Sequence, residues 1–533
     1  MPRTRWGVAW RGLLAFIVVV GCAAGATATA GLLQLKQVVN DLNLSKALPA
    51  KQLTPPAPGV PETLLLIGVD CRGSDCKDGN VGNTDTMMLV RIDDSSATIN
   101  ALSIPRDLGV QIPGIGYGKL NAAYSDGGEE LLIRTLKADV FPQLQVNHVL
   151  IVDFARFANL INAIGCVYAQ VDHRYYNKNV GTVATDYSGI DIQPGYQKLC
   201  GGAGSDLGGP NTALAFVRFR HNDSDFVRQA RQQDFLRWAK QGFSSGQLLS
   251  EKDELLRYFG EDVQTDSHLH STVDVDELFG LAFHADGSAL KPIPFPDGGE
   301  VGTSSDLAFS QAAAEQAYQE LMTPTSAPAA GTTTPTPPAP TSGRREGHKQ
   351  AHAYIPPAGM TAAVDDGNSQ AAHLGSPGLP VYYPKDIPDD YSYCFAITGN
   401  CSIGYEPASA DASSYPRAYR IEGTDGRRYR SYVMTLVVSS GGVSDTGTGE
   451  YFTVQGTTWP GAGHEAGPPI LRSPSGSKIV NHKLLYLYSQ GGHLTVVAWK
   501  TSRAVYWISN TLQDDIPNNE MVAMAASFTP GAR

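Results

Sequence analysis

The sequence has no surplus of positive charge: 41 lysines and arginines face 52 aspartates and glutamates, for a formal net charge of −11. A chain built to coat nucleic acid needs a basic surface, so that class of partner is not expected. There is no G-x-x-x-x-G-K-[ST] loop, and the glycines scattered after Cys200 miss the spacing of a dinucleotide-binding turn. Neither G-x-S-x-G nor H-E-x-x-H occurs, which removes the serine-hydrolase and zincin readings. A C-x-x-C pair is also missing, leaving little basis for a zinc site, and no internal repeat is visible. Cysteines are few, at seven. Leaving aside Cys22 in the N-terminal segment, the six that remain are an even number, as disulfides in an oxidising compartment require. Proximity in sequence pairs Cys71 with Cys76, Cys166 with Cys200 and Cys394 with Cys401, among fifteen formal connectivities.

What is present divides the chain. Residues 1–11 carry Arg3, Arg5 and Arg11, and residues 12–33 follow without a charge. Such a run is long enough to span a bilayer, and its basic flank belongs on the cytoplasmic side, so the body of the chain is expected outside. A cleaved signal peptide, or a lipoprotein signal ending at Cys22, would place the body on the same side. Residues 34–62 hold five prolines from Pro49 to Pro61 and read as a stalk. From residue 63 to 322, apolar runs of strand length (63–70, 86–92, 97–104, 148–152, 166–171) alternate with helical patterns (129–140, 154–164, 226–241). That mixture predicts an α/β sandwich. Residues 323–380 are rich in Pro and Thr, then in Gly and Ala without apolar periodicity, and read as a disordered linker. Residues 381–533 read as a smaller α+β domain of strands with a closing helix at 518–528. Its aromatics, including Tyr486, Tyr488, Trp499, Tyr506 and Trp507, suit either a core or a surface that stacks on sugars.

The densest chemistry lies between Ala215 and Gln233, where Arg218, Arg220, Arg228 and Arg231 fall within fourteen residues. Guanidinium forks match phosphate oxygens two at a time, so this concentration suits a ligand with several phosphates. A helix beginning near Ser224 puts Asp225, Arg228 and Gln232 on one face. A solvated, salt-bridged surface helix has the same spacing. Asp70 closes one strand and Asp85 precedes the next, a placement that suits Mg²⁺ held by two carboxylates, phosphate oxygens and water, or two ordinary turn residues. Arg106 and Asp107 come directly off the following strand, and Lys119 stands before a helix.

In order, Gly68-Val69-Asp70, Thr84 to Val90, Ser103 to Asp107, Lys119 to Tyr124 and Arg218 to Gln232 resemble the LytR-CpsA-Psr family of bacterial envelopes. The resemblance covers about 260 residues, roughly half of the sequence, and rests on the series of five segments. It implies a sandwich with a central mixed sheet covered by helices. It also implies a phosphotransferase that moves a glycopolymer from a polyprenyl-pyrophosphate carrier to peptidoglycan through a phosphodiester bond. On that reading Asp70 and Asp85 match the magnesium aspartates, and Arg106, Arg218 and Arg220 the pyrophosphate-binding arginines. Asp225 and Gln232 match polar residues of the same pocket, while Arg228 joins them from its helical face and Lys119 as a further cation. Asp107 and Asp225 are the candidate proton acceptors. The family also implies an apolar tunnel for the prenyl chain between sheet and helices. One departure is Asn83, where the family usually has arginine. A lipid-pyrophosphate hydrolase and a non-enzymatic scaffold that merely holds the carrier are the alternatives.

Overall fold

A computed structural model of the chain describes residues 52–57, 60–70, 82–93, 96, 98–177, 190–202, 211–219, 225–242, 263–268, 290–296, 298–299, 306–324, 356–394, 414–438, 451–460 and 467–531. The expected tail and anchor, Cys71 with Cys76, Arg220 and Cys401 lie outside that set. Among the described residues no helix is long and apolar enough to cross a membrane.

The first unit is built on β1 (Glu62–Asp70), β2 (Asn83–Asp93), β3 (Thr98–Ile104), the hairpin β4 (Gly109–Ile112) and β5 (Gly116–Lys119), and β6 (His148–Asp153). They are followed by β7 (Val167–Val171), β8 (Tyr175–Asn177), β9 (Ile190–Ile192), β10 (Gly195–Leu199), β11 (Gln264–Thr265) and β12 (Leu290–Ile293). Its helices are α1 (Leu120–Thr135), α2 (Phe154–Ala163), α3 (Thr212–Arg218), α4 (Asp225–Gly242) and α5 (Gln311–Met322). The central sheet runs β11-β6-β1-β2-β3-β12, with β1–β6 and β3–β12 parallel and the other neighbours antiparallel. It is therefore mixed, as the resemblance implies. Both faces are apolar because both are covered. Leu65, Ile67, Leu89 and Leu102 pack under Leu132, Leu136, Ala314 and Tyr318 of the α1 and α5 side. Leu64, Met88, Val90 and Ala101 form the opposite face, where Leu66, Val152 and Leu236 pack while only partly buried.

The second unit holds β13 (Met360–Ala362), α6 (Val364–His373), β14 (Tyr382–Pro384), β15 (Asp386–Pro388), β16 (Tyr391–Tyr393), β17 (Arg417–Glu422), β18 (Arg428–Val438) and β19 (Tyr451–Thr457). It continues with β20 (Gly476–Val480), β21 (Lys483–Gln490), β22 (His493–Lys500), β23 (Val505–Ser509), α7 (Asn518–Ser527) and β24 (Phe528–Pro530). Eight of these strands make one antiparallel sheet in the order β16-β18-β19-β23-β22-β21-β20, with β17 also on β18. The expected linker ends sooner than residue 380, because β13 and α6 form part of this unit. Ala371 and Leu374 join its core despite the weak apolar pattern of their segment.

Nor does this unit stand apart from the first. One face of its sheet packs on α6 and α7 through Tyr432, Met434, Val454, Tyr506 and Ile508. The other covers the β7–β10 hairpin, where Tyr168 and Tyr196 meet Trp459, Ile470 and Trp507. Gln170 Nε2 donates to Thr453 Oγ1 at 2.8 Å, and Tyr196 N donates to Gln455 Oε1 at 2.9 Å. Arg237 of α4 donates to Gln490 Oε1 at 2.6 Å. Tyr488, Tyr506 and Trp507 are thus core and boundary residues, the bland alternative for the aromatics. The Cys166–Cys200 disulfide closes the base of the same hairpin, as sequence proximity suggested. Cys394, also disulfide-bonded, is fully buried.

Candidate active site

The site forms where β1 and β3 end and β2 begins. The antiparallel register runs Gly68 to Thr86 and then Val69 to Thr84, so Asp85 is an extra residue opposite neither. Asp85 therefore lies inside β2 at a bulge, where the expectation had put it before the strand. A bulge breaks the alternation of the pleat and re-aims the side chain it carries. Here consecutive residues, Asp85 and Thr86, both reach partners on the α3–α4 side. Gly68 permits this approach, since a Cβ there would stand 3.1 Å from Thr86 Cβ.

Arg218, the last residue of α3, bridges the two expected carboxylates. Its Nη2 lies 3.2 Å from Asp70 Oδ2 and 2.7 Å from Asp85 Oδ2, and its Nε donates to Asp85 Oδ2 at 2.9 Å. Arg106 Nη1 donates to the other oxygen of Asp85. Asp107 is engaged in turn by Lys119 Nζ at 3.1 Å and by Arg106 Nε at 3.5 Å. Asp306, 3.9 Å from Lys119, is a further carboxylate that sequence reading passed over. The segment is held in place by α1, whose early amides at Leu120 and Asn121 donate to the carbonyls of Leu108 and Arg106. Such donors are left over at any helix start, so the loop and the helix satisfy each other.

Asp70, Asp85, Arg106, Asp107, Lys119 and Arg218 are therefore brought together. Gln232 is close by, but its amide nitrogen donates to Thr86 Oγ1 at 2.9 Å and to the Val217 carbonyl at 3.1 Å, tying α3 to β2. Arg228 is buried one turn earlier on α4. Asp225 opens that helix, and its side chain, like Arg220, is outside the described set. Asn83, the departure from the family pattern, accepts from Ser125 Oγ at 2.8 Å.

Among the described residues, no group of three or more acidic, histidine or cysteine side chains is arranged to hold a metal by itself. A two-carboxylate donor set completed by phosphate oxygens and water nevertheless suits Mg²⁺. Asp70 and Asp85 offer hard oxygens that converge on a single cationic nitrogen, so their geometry fits such an ion.

The profile of the LytR_cpsA_psr family matches residues 33–316. The chain belongs to this family. Among relatives, the polyisoprenyl-teichoic acid–peptidoglycan teichoic acid transferase TagT of Bacillus subtilis is 29% identical over 237 residues, 44% of this chain and 68% of TagT. TagU of Oceanobacillus iheyensis, described by the same activity, is 31% identical over 223 residues, 40% of this chain and 60% of TagU. Among solved structures, B. subtilis TagV is 24% identical and covers 50% of this chain and 97% of its own, with a TM-score of 0.41. TagT bound to LI-WTA is 22% identical over 52% of this chain and 97% of its own, with a TM-score of 0.38. In this chain the strand ends and α3 that supply the clustered charges lie inside the matched residues, whereas the second unit lies beyond them.

Proposed function

We propose that this chain transfers a glycopolymer from a polyprenyl-pyrophosphate carrier to peptidoglycan, leaving a phosphodiester link, and that it does so as a single-pass membrane protein facing outward. The observation that carries this reading is the convergence of Asp70, Asp85, Arg106 and Arg218 on one point in a member of the LytR_cpsA_psr family. Arg106 and Arg218 would exchange carboxylate partners for pyrophosphate oxygens, and Lys119 would add a third cation at the rim. Asp70 and Asp85, released by that exchange, would hold Mg²⁺, which when bound neutralises charge on the leaving phosphate. The acceptor hydroxyl attacks the phosphorus next to the glycan as the bond to the carrier phosphate breaks. Asp107 and Asp225 are the candidate groups to take its proton. The apolar sheet face of Leu64, Met88 and Val90, with Leu66 and Val152 only partly covered, supports a place for the carrier's prenyl chain.

The test offers the full chain a lipid-pyrophosphate-linked oligosaccharide with and without a peptidoglycan fragment. Transfer predicts release of lipid phosphate that depends on acceptor, and a phosphodiester joining the two glycans. Release at full rate without acceptor would instead mean hydrolysis, and binding without release a scaffold.

A further inference from the structure

Arg231 stands away from the charged site and donates to partners on α3 and β8. It is fully buried, an expensive place for a charge unless every donor finds a partner. Its Nη1 donates to the carbonyls of Phe219 at 2.7 Å and Phe216 at 3.2 Å. These belong to the last turn of α3, where helix carbonyls lack internal partners and the helix dipole favours a cation. The guanidinium also lies over the Tyr175 and Phe216 rings, 4.6 and 5.6 Å from their centroids. With Gln232 on the Val217 carbonyl, neighbouring residues of α4 thus hold the carbonyls of Phe216, Val217 and Phe219, on both sides of Arg218.

The far side of Arg231 leads to the second unit. Its Nε donates to Tyr175 Oη at 3.2 Å, and that hydroxyl donates to Asp172 Oδ1 at 2.7 Å. Burial opposes the Asp172 charge, but His173, the Tyr175 hydroxyl and Arg231 together hold its pKa below the ordinary carboxylate value. The second unit grips the three residues from Asp172 onward. Thr435 Oγ1 donates to the Asp172 carbonyl at 3.0 Å, Tyr451 stacks on His173 at 4.4 Å, and Tyr415 Oη accepts from Arg174 N at 2.8 Å.

We propose that Arg231 is the positioning residue that aims Arg218, and that the C-terminal domain braces it from behind through Asp172 and Tyr175. This gives the C-terminal domain a task in the reaction: it stiffens the phosphate clamp of the first domain without touching the phosphate. The proposal rests on reading Arg218 as a pyrophosphate contact.

The test uses the full chain, with farnesyl pyrophosphate and Mg²⁺ as the calorimetric probe and hydrogen exchange read at the Phe216–Phe219 amides. Arg231→Lys keeps a charge but loses the fork, and is expected to weaken binding about tenfold. Tyr175→Phe, which removes the hydroxyl's bonds to Arg231 and Asp172, and Thr435→Val, which removes one hydrogen bond, are expected to weaken it about threefold. All three should speed exchange at Phe216–Phe219. A role in stability alone would lower the melting temperature and leave the affinity of the folded protein unchanged. Should Arg231→Lys fail to fold, Tyr175→Phe decides, since it keeps the ring. Arg218→Ala is the control: if it loses binding while the other three variants stay within about twofold of the parent, the brace is refuted and the pyrophosphate reading stands. If Arg218→Ala binds normally, the pyrophosphate reading falls, and unchanged exchange at Phe216–Phe219 in Arg231→Lys would overturn the brace as well.

Discussion

Replacing Asp85 by asparagine should separate binding from turnover. Asp85 is the hub of the charged site, accepting from Arg106 on one oxygen and from Arg218 on the other. The amide preserves shape and removes the charge that holds both guanidiniums. Neither cation is then stranded, because Arg218 keeps Asp70 at 3.2 Å and Arg106 keeps Asp107 at 3.5 Å. The stability loss should therefore be about 1–2 kcal/mol, short of the roughly 3–5 kcal/mol that follows when a buried charge loses its only partner. Without metal, pyrophosphate no longer competes with the Asp85 carboxylate for the two arginines. At an effective dielectric near 20, one such close pair is worth about 4 kcal/mol before solvation is counted, so affinity in chelator should equal or exceed that of the parent. With Mg²⁺ present, transfer should fall about 10²–10³-fold, as when one preorganised electrostatic group is lost. Calorimetry in chelator and acceptor-dependent release of lipid phosphate measure the two quantities. Transfer by Asp85→Asn at the parent rate would refute the assignment of Asp85 to the metal and to the chemistry.

Two further outcomes concern the boundary between the domains. Burial raises Asp234 to about 6, offset by Arg237, and Asp514 to about 7, again offset by Arg237 and reinforced by Asp234. Both carboxyls hold protons more tightly when docked than when exposed, so their contribution is complete below about pH 4 and is lost as pH rises through 6 to 7. The melting temperature should fall across that window, and Asp514→Asn should flatten the fall; a flat profile in the parent chain would contradict this. Replacing Cys166 and Cys200 by serine should cost about 3–4 kcal/mol for a crosslink spanning 34 residues, read by denaturant titration against the oxidised parent. A loss under about 1 kcal/mol would show that packing alone holds the β7–β10 hairpin.

Much of the site was legible because its residues sit at strand ends, and strand ends are marked by where apolar runs stop. Asp70 and Arg106 could be placed in this way, whereas Arg218, which ends helix α3, was marked by the density of arginines around it. The bulge at Asp85 could not, since one extra residue in a ladder leaves no trace in an apolar run. Arg231 was visible as charge but not as purpose, since only tertiary contact shows which carbonyls it meets. In the second unit the runs of β18, β19 and β21–β23 were legible while β13–β17, β20 and β24 were not, and its docking was hidden. Thr435, Thr453, Gln455 and Ser509 alternate with apolar neighbours as a solvent-facing edge would, and all four are buried. Their partners lie more than two hundred residues away for Thr435 and Thr453, a separation that local pattern does not encode.

The polar face of the second sheet also makes continuity of the peptide and continuity of the particle two different things. Among the described residues, the two domains meet through paired side chains that lie outside the segment joining residues 324 and 356. A single cut in that segment would leave two fragments that elute together, and their parting would need denaturant rather than a protease. A gel run in detergent would then report a broken chain where size-exclusion chromatography reports a whole molecule.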